Sequence, residues 1–183
     1  MNNKGFSLQV DGVPTEFGDL EALENFKFSN GIGFPHSYKE FVLTYGYGLA
    51  LGEFHIYLPM DVYGDSLFVR TAEIKNTYID DVERNDIWFE IAPDGSPDLL
   101  KRLYPFACSD NGNYLFWDCN FNAVNEFDIY LTDFRGTGFR KVGQSLYELI
   151  DNLTGHNKEF LPFASYSLPK TFKCLTKVES QDS

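Results

Sequence analysis

The chain has 183 residues, 43% hydrophobic and 17% aromatic, with 18 Phe and 11 Tyr, which supplies one well-packed domain and excludes an intrinsically disordered chain. Its 27 acidic and 15 basic residues leave a formal net charge of −12, which repels phosphate backbones and argues against nucleic acid as the main partner. Such a surface steers basic partners, although acidity also serves solubility alone.

The N-terminal stretch MNNKGFSLQVDG has no apolar core of the kind a signal peptide needs. No apolar run approaches the roughly 20 residues of a membrane helix. Cys108, Cys119 and Cys174 form no CxxC pair and no metal-ligand spacing, as expected of thiols in a reducing compartment. A soluble, cytoplasmic protein without a membrane partner is expected.

Phe6, Leu8 and Val10 alternate as in a short strand. Over residues 17–28, Leu20, Leu23 and Phe26 recur at helical spacing with Glu21 and Glu24 outward. Asp19 is the expected N-cap and Asn30-Gly31 the stop. Residues 33–48 predict a core-facing helix. Pro35 sits at its start, where a missing N–H is harmless. Tyr38, Phe41, Val42 and Tyr45 make its apolar face, onto which Phe34 folds back, and Gly46 ends it. Residues 51–58 (LGEFHIYL) predict a strand containing His55 and closed by Pro59. Ile74, Tyr78, Ile79 and Val82 predict a helix over 71–84. Residues 87–90 (IWFE) predict a short strand, and Pro93, Gly95 and Pro97 a loop.

Residues 103–120 (LYPFACSDNGNYLFWDCN) form the middle of the pattern. Two apolar runs flank Ser-Asp-Asn-Gly-Asn, whose residues accept a tight reversal, so a β-hairpin is predicted. Pro105 cannot donate to a ladder, which places the first run at an edge or starts its pairing after that residue. The second run is apolar throughout from Tyr114 to Trp117, as in a strand covered on both faces. Phe127, Ile129 and Leu131 then alternate on one face, residues 133–138 turn the chain, and 139–142 predict another strand. Ser145 and Glu148 form a capping box for a helix striped by Leu146, Leu149, Ile150 and Leu153 and closed by Gly155. The tail alternates at Phe172 and Cys174. Strands and helices without a regular βαβ rhythm predict an α+β fold: a single domain over 1–183, with helices on a mostly antiparallel central sheet.

Chemistry-bearing motifs are sparse. His36, His55 and His156 fall in separate segments, and no nucleophile elbow, P-loop or dinucleotide fingerprint occurs. Gly46-Tyr-Gly48 closes a helix rather than opening one. Asp110, Asn111 and Asn113 beside Gly112 offer oxygens but lack calcium-loop spacing and its closing Glu. Asp110, Asp118, Asp128 and Asp133 lie in the central β region, where paired acids for hydrolysis would sit, but nothing in the sequence marks such a pair. No enzyme, metal or cofactor is expected. The most distinctive charge feature holds Asp80, Asp81, Glu83, Asp86, Glu90, Asp94 and Asp98, with Arg84 as its one base. A solvated helix and loop account for it. A surface for a basic partner does too, with Trp88 and Phe89 as apolar anchors.

Two segments in order resemble the SUKH superfamily, bacterial immunity proteins against polymorphic and contact-dependent toxins, with a fungal cell-wall-assembly regulator among their relatives. One is the helix from Phe34 and Pro35 through Tyr38, Phe41 and Val42 to Tyr45-Gly46-Tyr-Gly48, similar to the family's L-P-x-x-Y-x-x-F-L helix. The other is the hairpin with Phe106, Asp110, Gly112, Asn113 and Trp117, in which Asp118 closes the second strand. Phe34 stands where the family usually has Leu. The resemblance covers 20–153 and leaves 154–183 as a C-terminal extension. It implies a non-enzymatic α+β protein that binds and neutralises a cognate toxin domain, often a nuclease, or else a regulatory protein-interaction module. Pro35, Tyr38, Phe41, Gly46, Asp110, Gly112, Asn113 and Trp117 are then structural positions, and the partner-facing candidates remain Asp80, Asp81, Glu83, Asp86, Trp88, Glu90, Asp94 and Asp98.

Overall fold

A computed structural model describes residues 5–120, 123–160, 164 and 166–178. In chain order the elements are β1 (Gln9–Asp11), α1 (Leu20–Asn25), α2 (His36–Tyr45), β2 (Gly48–Ala50), β3 (Phe54–Ile56), α3 (Leu67–Asn76), α4 (Ile79–Glu83) and α5 (Pro97–Arg102). There follow β4 (Leu103–Ser109), β5 (Tyr114–Asp118), β6 (Ile129–Thr132), β7 (Arg140–Gly143), α6 (Leu146–Thr154) and β8 (Thr171–Cys174). The strands form one eight-stranded sheet in the order β1-β8-β2-β3-β4-β5-β6-β7. Every pairing is antiparallel except β1 with β8. The fold is α+β.

The β4–β5 hairpin is central, turning on Gly112 at φ 81° with Asn113 buried against the Ser109 hydroxyl. Leu115, Phe116 and Trp117 are almost wholly buried, and adjacent residues of a strand face opposite ways, so both faces are covered. Trp117 stacks on Phe106 at 4.1 Å and meets Tyr38 of α2 edge-on at 4.8 Å. Phe116, on the other face, packs with Tyr78, Phe134 and Phe139. The Tyr38 hydroxyl, which has no access to water, donates to the Tyr57 carbonyl at 2.6 Å. Gly46 caps α2 at φ 66°, and a Cβ there would lie 2.4 Å from the Glu16 carbonyl oxygen, so only glycine fits.

Several expectations are corrected. β4 is neither an edge nor unpaired before Pro105: Leu103 already pairs with Asp118 of β5. A register shift between Pro105 and Ala107 absorbs the proline, and pairing with β3 starts at Ala107. The strand expected over 51–58 is the second half of a hairpin, because Leu51 and Gly52 both take positive φ and reverse the chain between β2 and β3. The helix expected over 71–84 begins at Leu67 and is broken at Thr77, whose hydroxyl donates to the Ile74 carbonyl. Residues 87–90 form no strand, and the Pro-rich loop contains α5, N-capped by Ser96 with Pro97 in its first turn. Leu20 is half-exposed. The tail supplies β8, inserted between β1 and β2 with Phe172 fully buried.

Candidate protein-binding surface

The acidic segment occupies α4, the loop after it and the first turn of α5. Two aromatic neighbours in it divide. Phe89 points inward against Phe134 and Phe139, so it is core and not an anchor. Trp88 is 63% exposed, packs edge-on against Phe89 and donates its indole N–H to Asp81 at 3.0 Å. Asp81 also pairs with Arg84 at 2.9 Å, so the Trp88 ring is held from two sides. Beside it lies a cleft of about 310 Å³ lined by Trp88, Thr77, Gly112, Tyr114, Phe134 and Arg135.

The seven carboxylates have different duties. One oxygen of Glu90 accepts from the Ile91 and Ala92 N–H groups, and Asp94 accepts from the Lys141 N–H at 2.8 Å. The Asp94 N–H also donates to the Phe139 carbonyl, so Asp94 satisfies part of the outer edge of β7. Asp98 lies 3.8 Å from Lys101. Asp80, Glu83 and Asp86 are exposed and make no ion pair or side-chain hydrogen bond among the described residues. The structure thus brings Asp80, Asp81, Glu83, Asp86 and Trp88 onto α4 and its immediate continuation, with Glu90 and Asp94 bracing the loop. Tyr114, Phe134 and Arg135, which complete the cleft, were missed because they come from the distant β5 and β6–β7 segments and carry no local signal.

Of the four β-region carboxylates only Asp118 and Asp128 share a recess, and each is held by a cation. Asp118 is bound by Arg102 through two hydrogen bonds, of 2.5 and 3.0 Å, and Asp128 by Lys141 at 2.7 Å. Both border a recess with Glu126, whose carboxyl burial raises above the usual range while two bonds from Ser37 partly offset that. Asp133 accepts from the Arg135 and Thr137 N–H groups, and Asp110 lies at the hairpin tip 3.6 Å from His55. Asn111 donates to Glu53. Among the described residues no group of three or more His, Cys, Asp or Glu is placed to hold a metal ion, and no helix is long and apolar enough to cross a membrane.

A mostly antiparallel sheet flanked by helices defines an α+β domain. Residues 20–150 match the family described as SMI1-KNR4 cell-wall (SUKH_6), and the chain belongs to that SUKH family. It is thereby an immunity-type or related protein. Neither the curated proteins nor the solved structures yield a match.

Proposed function

We propose that this chain is a non-enzymatic immunity-type protein that binds and neutralises a cognate bacterial toxin domain of basic character, such as a nuclease. The supporting observation is the set of unspent carboxylates, Asp80, Glu83 and Asp86, beside the exposed and braced Trp88. Fixed unpaired charges raise the association rate with an oppositely charged partner, and an exposed Trp at a cleft supplies an anchor of the kind that dominates binding energy. By occupying the substrate-binding face of a nuclease, such a surface would compete with the nuclease's polyanionic substrate.

The test is capture of the partner from the native host lysate, followed by binding of the purified pair. One basic polypeptide is expected at one-to-one stoichiometry, released by salt and inhibited when bound. Charge reversal of Asp80, Glu83 and Asp86 to Lys should weaken the complex and flatten its salt dependence. Unchanged affinity in that variant removes the surface from the proposal. The family description, which refers to the cell wall, favours one second reading, a regulatory protein-interaction module. Capture of a signalling or wall-synthesis protein that is not toxic on expression would support it over the first.

A further inference from the structure

A second feature runs against the overall charge. Lys27, Lys75, Lys101 and Arg102 line one pocket of about 330 Å³, together with Phe26, Phe28, Ser29, Tyr104 and Cys119. These are four of only 15 basic residues in a chain of net charge −12, and no carboxylate among the described residues lines the pocket. The cations come from three places, the turn after α1, the last turn of α3 and the end of α5.

The pocket is built rather than incidental. Arg102 is fixed by its two bonds to Asp118 and one to the Asp98 carbonyl, which use three of its five N–H groups and leave two. Lys27 and Lys75 make no ion pair or side-chain hydrogen bond among the described residues. Asn30 donates to the Cys119 and Asn120 carbonyls, at 3.2 Å each, and so ties the turn after α1 to the end of β5. The walls belong to the core aromatic cluster: Phe26 stacks on Phe34 at 4.7 Å, and Phe28 meets Tyr104 at 4.9 Å. Burial pushes the Cys119 thiol up to about 12, so it stays neutral and adds no negative charge.

Among the described residues every charged group on this lining is a cation, and Phe26, Phe28 and Tyr104 make up most of the rest. We propose that the pocket binds a small phosphorylated molecule, the four cations taking the phosphate and Phe26, Phe28 and Tyr104 taking a ring-bearing body. The pocket lies at the lower end of ligand-site volumes, which suits a mononucleotide-sized ligand. A small anion interacts mainly with charges within about a Debye length, roughly 8 Å in physiological salt. Within that range Asp118 offsets Arg102 and Asp98 offsets Lys101, which leaves Lys27 and Lys75 as the net positive charge. An extended nucleic acid would meet the repelling remainder of the surface. The inference stands apart from toxin binding and requires no partner.

The test is calorimetric titration of the full chain with adenosine 5′-monophosphate, adenosine and inorganic phosphate. The monophosphate should saturate one site, with adenosine and phosphate each binding at least about tenfold more weakly. Lys75→Ala and Lys27→Ala should each weaken it by about tenfold, whereas Lys158→Ala, on a remote exposed lysine, should not. Circular dichroism of the variants checks that they remain folded. The proposal is overturned if the monophosphate shows no saturation at about 1 mM. It is equally overturned if phosphate alone binds as well, leaving an adventitious anion only, or if both pocket variants bind like wild type.

Discussion

Arg102→Met tests how the central hairpin is held at its open end. The Asp118 side chain is 6% exposed, whereas that of Arg102 is 40% exposed, and the pair is bridged at 2.5 and 3.0 Å. The bond to Asp118 also holds the Arg102 guanidinium more firmly protonated than usual. Removing one partner of a fully buried pair costs about 3–5 kcal/mol, because a charge is left without compensation. Here the cation is partly in water and its pairing is screened, so about 2–3 kcal/mol is expected. Asp118→Asn should cost less, about 1 kcal/mol, since Arg102 can turn toward solvent. The double variant should recover about 1–2 kcal/mol relative to the sum of the singles, because neither charge is then stranded. Urea denaturation followed by fluorescence of buried Trp117 measures all corners of the cycle. A loss below about 0.5 kcal/mol for Arg102→Met, or strictly additive singles, would refute an essential pairing at this site.

Gly138 takes φ 69°, and a Cβ there would lie 1.6 Å from the Ala92 carbonyl oxygen, whereas Gly31 at φ 80° has open space around it. Gly138→Ala should therefore cost about 2–4 kcal/mol and Gly31→Ala about 1 kcal/mol by denaturant midpoint, and equal losses would show that the close contact is unimportant. Glu126 has a folded pKa raised by burial, so its stabilising contribution is full below its unfolded value and is lost as pH rises through the folded value. The stability of Glu126→Gln relative to wild type should thus improve from about pH 4 to pH 7, and a flat difference would contradict the assigned shift. Asp94→Asn keeps an acceptor for the Lys141 N–H and should remain stable, whereas Asp94→Ala should lose about 1 kcal/mol and loosen the loop, as read by hydrogen exchange at Lys141.

What was legible in the sequence was locally punctuated. The central hairpin, α2 and α6 carry their stops in their own residues: Asn-Gly-Asn, Gly46, and Ser145 with its hydroxyl on the Glu148 N–H. Even there the capping carboxylate of Glu148 reaches one residue further back than expected, to the Gln144 N–H. The misreadings arose where a side chain or a distant strand decides. The apolar period continues through residues 71–84, but the Thr77 hydroxyl takes a carbonyl that the helix would otherwise use. Residues 87–90 are apolar enough for a strand, yet Phe89 serves the cluster around Phe134 and the Phe139 carbonyl at the β7 edge is taken by Asp94. Nothing local marks β8 as the partner of both β1 and β2, because that pairing joins the two ends of the chain. The basic pocket was invisible for the same reason: Lys27, Lys75 and the Lys101-Arg102 pair are far apart in sequence, and no shared period links them.

The acidic segment shows why a run of like charges can form a surface of fixed shape. Glu90 folds its carboxylate onto its own loop, Asp94 substitutes for a missing strand at the β7 edge, and Asp81 locks Trp88 and Arg84. These bonds satisfy backbone, indole and guanidinium donors that a mobile loop would leave to water, so the loop is braced within the free chain. A preordered loop loses less conformational entropy on association than a flexible one, which leaves more of the contact energy for affinity. The neighbouring carboxylates of Asp80, Glu83 and Asp86 take no part in that scaffold and are free to act at long range. Long-range charge governs encounter and salt dependence, while a rigid anchor, the role proposed for Trp88, governs residence time. In the proposed complex the segment would combine two separable functions in about 20 residues, and only the first is visible as charge in the sequence.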